Sequence, residues 1–398
     1  MRPEAIAVLF VANGMGAPSF LARLPDRQAD LHLSDAGLGY ALVGLAFGAL
    51  IASPVVARIL HRWSSRRVAV IAGVGLGSTL WLVGEAPTGV TFFAAMALVG
   101  VFDAGMDIAM NANGAAYEAR TGRSILHRLH AAWSFGALGA AALAGLAAAA
   151  GVSLTANLMV VGAVAAGGVV AVRRHLVPAD PPGLPLAATA HASAPTALPP
   201  PSASPAQPPA EAPRPGGRRW ALWALAATAV GGALIEGGTN DWSSVQLERY
   251  GSSEAVAAAG VACFMTGMLL GRLVGDRLVD CWGGARLLRT GMTLAAVGLA
   301  AGALIPHPLV FAAGVLAAGL GAAGVFPLAF STAARIPGVA PGTGAAVVSL
   351  AARLGFMIEP VLLGVVAEQQ GLRWSYGLVA LIAAALAVAA PVVARDAR

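Results

Sequence analysis

Long apolar runs alternate with short polar breaks along the whole chain. Twelve runs reach the length of about 20 residues that a membrane-spanning helix needs. They lie at roughly 4–24, 36–60, 68–85, 90–116, 130–150, 153–172, 219–245, 254–278, 286–305, 308–333, 343–367 and 372–394. Between the sixth and seventh, residues 173–218 have another composition. Residues 178–215 hold 13 of the 25 prolines, mixed with Ala and Ser. Such a stretch cannot bury a core and reads as a flexible, partly extended linker. The pattern predicts an all-α membrane protein with 12 transmembrane helices in two pseudo-symmetric six-helix bundles, 1–172 and 219–398, joined by the 173–218 linker.

The fourth run breaks the apolar rule. Within 90–116 it carries Asp103, Asp107, Asn111 and Asn113. A carboxylate at the bilayer centre costs about 2.5–3.5 kcal/mol on insertion scales. Asp103, Asp107 and Asn111 follow one another at i, i+4 and i+8, so they are expected on one helix face. That face must look onto a watery cavity or onto partners on other helices.

Composition narrows the class. The chain has 398 residues, of which 58% are hydrophobic and 11% charged. Soluble domains carry about 25% charged residues. The net charge of +6 is carried by 25 Arg and no Lys. Without Lys there is no Walker A motif. The arginines gather in short loops, as membrane orientation requires, so nucleic acid is not an expected partner. Arg62, Arg66 and Arg67, then Arg120, Arg123 and Arg128, then the linker arginines, then Arg286 and Arg289, then Arg395 and Arg398, all fall on one side under alternating topology. Both termini and the linker are therefore expected in the cytoplasm, with the chain in a bacterial inner membrane. Cys263 and Cys281 have no metal-ligand or disulfide spacing, and no cofactor is expected. The first run carries Asn13 and Pro18 and reads as a retained helix rather than a cleaved signal.

The halves repeat at an offset of 219, which pairs Gly48 with Gly267, Arg58 with Arg277, Trp63 with Trp282, Arg67 with Arg286, Gly100 with Gly319, and Gly136 with Gly355. A parallel repeat of this kind relates two bundles by an axis along the membrane normal. The loop Gly271-Arg272-Leu-Val-Gly275-Asp276-Arg277-Leu-Val-Asp280-Cys-Trp-Gly283-Gly284-Ala-Arg286 resembles the Gly-x-x-x-Asp-Arg-x-Gly-Arg-Arg loop of the major facilitator superfamily. Its first-half copy, from Ala57 through Arg62 to Arg67, departs from that pattern, with Ala57 for Gly and His61 for Asp. Asp107-Ile-Ala-Met-Asn111 resembles the acidic-x-x-x-Asn pattern of the superfamily's fucose-permease-like branch, and Gly324-Val-Phe-Pro327 is similar to its Phe/Tyr-Pro bend. The segments around Trp133 and Glu236-Gly-Gly-Thr-Asn240-Asp241-Trp242 resemble an uncharacterised bacterial group near that branch. The resemblance implies a proton-linked role for Asp107, a solute contact at Asn111, and a conformational loop formed by Gly271, Asp276, Arg277, Asp280, Gly283 and Arg286, with Arg62 in the first half.

The remaining candidates follow from depth and spacing. Asp103 and Asp107 repel when both are ionised, which suits one of them to carry a proton. Glu236 joins them as a proton-coupling candidate, with Asn240 one turn further on in the seventh span. Residues 13–18 fall on 232–237 at the same offset, so interrupted helices are expected at both places, and such breaks point to a transport site. Asn13, Asn240 and Trp133 join Asn111 as solute contacts, although Trp133 also reads as an interfacial anchor. Arg353, near mid-depth, needs a buried partner, with Asp103 ahead of Asp107 in order of expectation. Glu359, before Pro360, reads as a gating or packing charge. Asp241 is placed near the outer surface. The expected activity is proton-coupled symport of a small polar solute, a sugar or polar metabolite, by alternating access. The alternatives are a proton-antiport exporter and, remotely, a non-transporting receptor. No enzyme chemistry is expected. The expected partners are the solute, protons and the lipid bilayer, with a monomer as the working unit.

Overall fold

The computed structural model describes residues 1–60, 62–123, 125–178, 215–333, 336, 339 and 343–393. Among these residues it is all helix and turn. Twelve helices are long and apolar enough to span a membrane. They are α1 (Pro3–Leu21), α2 (Asp35–Leu60), α3 (Ser65–Glu85), α4 (Gly89–Thr121), α5 (Arg128–Ala149) and α6 (Leu154–His175) in the first half. The second half has α7 (Trp220–Arg249), α8 (Glu254–Gly275), α9 (Gly284–Leu304), α10 (Pro308–Ala333), α11 (Thr343–Gln370) and α12 (Leu372–Pro391). The proline-rich core of the expected linker, 179–214, and residues His61, Arg395 and Arg398 lie outside the described residues. Its flanks differ from expectation. Residues Arg173–His175 close α6 with a 3-10 turn, and the helix that becomes α7 already begins at Pro215.

Local chemistry sets the ends. Thr88 and Thr91 form a capping box at the start of α4, and Gly122, at φ 67°, closes it. Its 33 residues give a rod of about 50 Å, longer than the hydrocarbon core. α8 runs on to Trp282, where Gly283 at φ 77° stops it. Only glycine takes that backbone freely. α1 breaks between Gly14 and Pro18, as expected of a proline without a backbone donor. The expected partner break in α7 is absent, and the helix is continuous through 232–237. Glycine alone does not interrupt a helix packed on several sides, and this segment has no proline. α10 does break, between Ala322 and Val325, at the Gly324 bend.

The repeat is built into the contacts. α2 packs on α4 and α8 on α10, α1 on α5 and α7 on α11, α3 on α6 and α9 on α12. The paired glycines do equivalent work. A Cβ on Gly48 would meet the Ala97 carbonyl oxygen at 1.9 Å, and one on Gly267 would meet that of Leu316 at 2.2 Å. One on Gly100 would meet the Leu45 oxygen at 2.1 Å, and one on Gly319 that of Phe264 at 2.3 Å. Every partner is also displaced by the offset of 219. These are backbone-to-backbone crossings of the kind small residues allow between membrane helices.

The two halves meet through α2 against α11 and α5 against α8, pairs that the two-fold relation exchanges. A group of polar contacts lies at the face away from the termini. There Arg249 of α7 pairs with both carboxylate oxygens of Asp35 on α2. Gln28 donates to Asp35 at 2.7 Å. Glu368 of α11 accepts from Ser34 Oγ at 2.7 Å and from the Ala36 amide at 2.9 Å. Ser244 Oγ donates to the Leu21 carbonyl at 2.8 Å. Arg23 and Arg27, on this same face, are not free loop charges. Both are buried and tie the short helix Leu24–Asp30 to the carbonyls of Val152 and Ala86. Burial there pushes the Asp26 carboxyl up from its usual range, against the pull of Arg23.

Candidate functional site

Between the halves, at mid-depth, lies a cavity of about 270 Å³, close to the lower end of small-molecule sites. The first half lines it with Asn13, Asp103, Asp107 and Trp133. The α1 break sets Asn13 at the end of its first helical piece. Gly14 then lets the α1 backbone approach α5, where a Cβ would come within 2.2 Å of the Trp133 carbonyl oxygen. As a result one side chain connects three helices. Asn13 Nδ2 donates to Asp103 Oδ1 at 2.9 Å, and Asn13 Oδ1 accepts from Trp133 Nε1 at 2.8 Å. Trp133 is thus a wall of the cavity, and the interfacial-anchor reading does not describe it.

The second half contributes Glu236, Asn240 and Asp241 from α7, and Ser349, Arg353 and Phe356 from α11. Phe326 and Phe330 of α10 complete an aromatic wall, with Phe326 and Phe356 stacked at 6.1 Å. Asp241, expected near the outer surface, is on the cavity wall and accepts from Asn240 Nδ2 at 3.1 Å. Arg353 Nη1 donates to the Ala49 carbonyl of α2 at 3.4 Å, across the halves. The acid whose charge acts on Arg353 is Asp107, so the expected order of partners is reversed. Asp103 is instead committed to Asn13.

Asn111 is placed otherwise than expected. Asn111 is buried but does not line the cavity, and its Nδ2 turns back to the Asp107 carbonyl at 2.8 Å and carboxylate at 3.2 Å. Each i+4 step overshoots a full turn by about 40°, so two steps carry Asn111 about 80° away from Asp103. Glu359 also lies off the cavity, fully buried, accepting from Trp242 Nε1 at 3.1 Å. Apart from Gly271, which lies within α8, the loop residues are toward the face of the termini. Arg62, Arg277, Asp280, Gly283 and Arg286 are exposed, Gly271 packs on α10, and the side chain of Asp276 lies outside the description. Among the described residues no group of three or more His, Cys, Asp or Glu is arranged to hold a metal ion.

Reading along the chain missed Arg272. It is counted in the loop motif, yet its guanidinium stacks over Trp133 at 5.6 Å and donates to Ser134 Oγ at 3.0 Å. It thereby links α8 to α5 across the halves and acts on Glu236 through its charge. Its position on the same helical run as Met265, and not beyond that run's end, was the available signal. The aromatic wall left no signal, because Phe326, Phe330 and Phe356 are far apart in sequence and unremarkable in apolar runs.

Comparison with known proteins agrees with this architecture. Residues 242–398 match the family model described as Major Facilitator Superfamily. The chain is 30% identical over 394 residues to the uncharacterized transporter y4wD of Sinorhizobium fredii (strain NBRC 101917 / NGR234), covering 98% of this chain and 97% of that one. It is 27% identical over 393 residues to an uncharacterized MFS-type transporter of Yersinia pestis, covering 97% and 94%. Among solved structures, a mutant of the nucleoside transporter NupG superposes with a TM-score of 0.74 at 17% identity, covering 98% of this chain and 99% of that one. A twelve-helix membrane transporter is the class these findings define. The chain belongs to the major facilitator superfamily.

Proposed function

We propose that the protein is a proton-coupled symporter of a small polar solute, working by alternating access in a bacterial inner membrane with both termini cytoplasmic. The observation that carries this reading is the mid-depth cavity faced by acids of both halves, Asp103 and Asp107 on one side and Glu236 and Asp241 on the other. Ionisable groups at that depth are costly and persist where they serve a pathway. The arginine excess on the face of the termini supports the orientation. The closed contacts on the opposite face support a conformer that loads or empties toward the termini.

The walls describe the solute. Both sides offer carboxylates and an amide, Asp103, Asp107 and Asn13 on one and Glu236, Asp241 and Asn240 on the other, and α10 and α11 add phenyl rings. A sugar, or another polar metabolite with one flat apolar face, meets both. Asp107 acts on Arg353 across the halves, so protonating Asp107 frees Arg353 to answer the solute or the opposite half. The proton and the solute then bias the same rocking motion, which is what coupling requires.

The test has two stages. A thermal-shift screen of sugars, nucleosides, organic acids and drugs identifies the solute, since a ligand at 100 times its Kd stabilises by about 2.7 kcal/mol. Uptake is then measured in right-side-out and everted vesicles under an imposed pH gradient. Right-side-out vesicles accumulate the solute when protons flow inward. Asp107→Asn still exchanges solute but no longer accumulates it. Accumulation by Asp107→Asn equal to wild type removes Asp107 from coupling. Accumulation driven instead by protons flowing outward makes the protein a proton-antiport exporter.

A further inference from the structure

Behind the cavity, in the second half, two acids stand together on α7 and α11. Asp241 faces the cavity, and Glu359 lies one layer deeper, with none of its surface exposed. Asp241 lies one helical turn beyond Gly237 and Gly238, the two residues of α7 that Glu359 packs against. α7 has made room for this arrangement. A Cβ on Gly237 would lie 2.8 Å from Glu359 Oε2, and one on Gly238 3.5 Å from Oε1. The glycines expected to interrupt α7 are the seat of the buried carboxyl.

The seat is short of donors. Glu359 Oε1 receives the Trp242 indole N–H, but Oε2 is buried with no hydrogen-bond partner among the described residues. The hydroxyl of Tyr376, on α12, is also buried without a partner, and it feels the charge of both acids. Among the described residues Asp241 receives only the Asn240 amide. Among the described residues neither acid forms an ion pair with an arginine. Of the other charged or titratable groups nearby, Glu236 on α7 acts on Asp241 and itself feels Arg272 of α8, while Arg249 at the end of α7 and Tyr250 just past it act on Tyr376. Two carboxylates so placed cannot both hold full charge without a cation, and an unpartnered oxygen is where an O–H bond would form.

We propose that Asp241 and Glu359 hold one proton between them, forming a second proton site in the C-terminal half with Asp241 as its mouth to the cavity. The proton arrives from cavity water as one O–H bond on either carboxyl and returns to water when it leaves, with no redox partner. A proton on Glu359 turns Oε2 from an orphaned acceptor into a donor. The site rests on the transport reading above and deepens it, because each half would then carry its own acid pair, Asp103 with Asp107 and Asp241 with Glu359.

Infrared spectra of the purified full chain, recorded against pH without any solute, test this apart from transport. Wild type minus Glu359→Gln shows the carbonyl stretch of a protonated carboxyl at neutral pH. Asp241→Asn moves the titration midpoint of that band by about one pH unit or more, the mark of a coupled pair. Thermal unfolding identifies the variants that fold, and Glu359→Asp serves as the conservative replacement if Glu359→Gln does not. A band that survives loss of Glu359, or a midpoint that ignores Asp241→Asn, overturns the proposal. So does saturable loss of the band on adding sodium chloride, but not choline chloride, at fixed pH, which makes the site one for sodium. None of these outcomes depends on Asp107, so failure here leaves the transport reading to its own vesicle test.

Discussion

Asn13 is one amide on which three helices converge. Its two polar atoms serve Trp133 and Asp103, and either left alone in the bundle costs about 1–3 kcal/mol. Asn13→Ala is therefore expected to lower the thermal midpoint of the purified protein and to weaken solute binding in the same screen. Trp133→Phe, which removes only the indole donor, should lower the midpoint less. An Asn13→Ala protein as stable as wild type would show that the triad is incidental. Residues of this kind were legible in the sequence, because an amide or carboxylate deep in an apolar run is conspicuous. Asp103, Asp107, Asn13 and Glu236 were found that way. Asn111 misled because successive i+4 positions drift around a helix, and Asp241 misled because depth counted along the sequence takes no account of which stretch of α7 borders the cavity. Glu359 could be seen as a buried charge, but its seat on Gly237 and Gly238 comes from another helix.

At the scale of helices, the internal repeat is a statement about backbone crossings. Gly48 and Gly267 occupy matching crossings of α2 on α4 and α8 on α10. Gly48→Leu and Gly267→Leu should therefore destabilise to a similar degree, by about 1–3 kcal/mol each, as overpacking does. Gly139→Leu, on α5 with open space around the new side chain, is the control that should be neutral. Thermal unfolding of the three variants separates the cases, and a neutral Gly267→Leu beside a damaging Gly48→Leu would deny the equivalence. Twelve spans, their order and this repeat could all be read along the chain, because lipid forces every helix to declare its length. The break in α1 could be read too, since proline enforces it. Its expected counterpart in α7 could not, because glycine permits a break without requiring one, and neighbouring helices decided against it.

At the scale of the molecule, the structure is closed on one face and held by few polar contacts. Arg249 and Asp35 keep 35% and 10% of their side-chain surface exposed, so water reaches the arginine side of the pair. A catch open to water on one side suits a carrier that must open there in each cycle. Arg249→Ala is expected to raise, by a few-fold, the population open on that face, while leaving the helices intact. Reagent access from that side to a cysteine placed at Leu42, on the cavity wall, reads the shift. No change in access would mean that backbone crossings such as Gly39 against Pro360 hold the closure instead.

The claim beneath all of this is that the buried acids border water. Ala46 and Phe47 are neighbours on α2, the first lining the cavity and the second 41% exposed on the bundle's outside. With Cys263→Ser and Cys281→Ser as background, Ala46→Cys and Phe47→Cys are each treated in membranes with a charged, membrane-impermeant thiol reagent. The account predicts rapid labelling of Ala46→Cys, from the face of the termini, and little labelling of Phe47→Cys. Labelling of Phe47→Cys with Ala46→Cys inert would contradict it, because the acids would then line a dry seam.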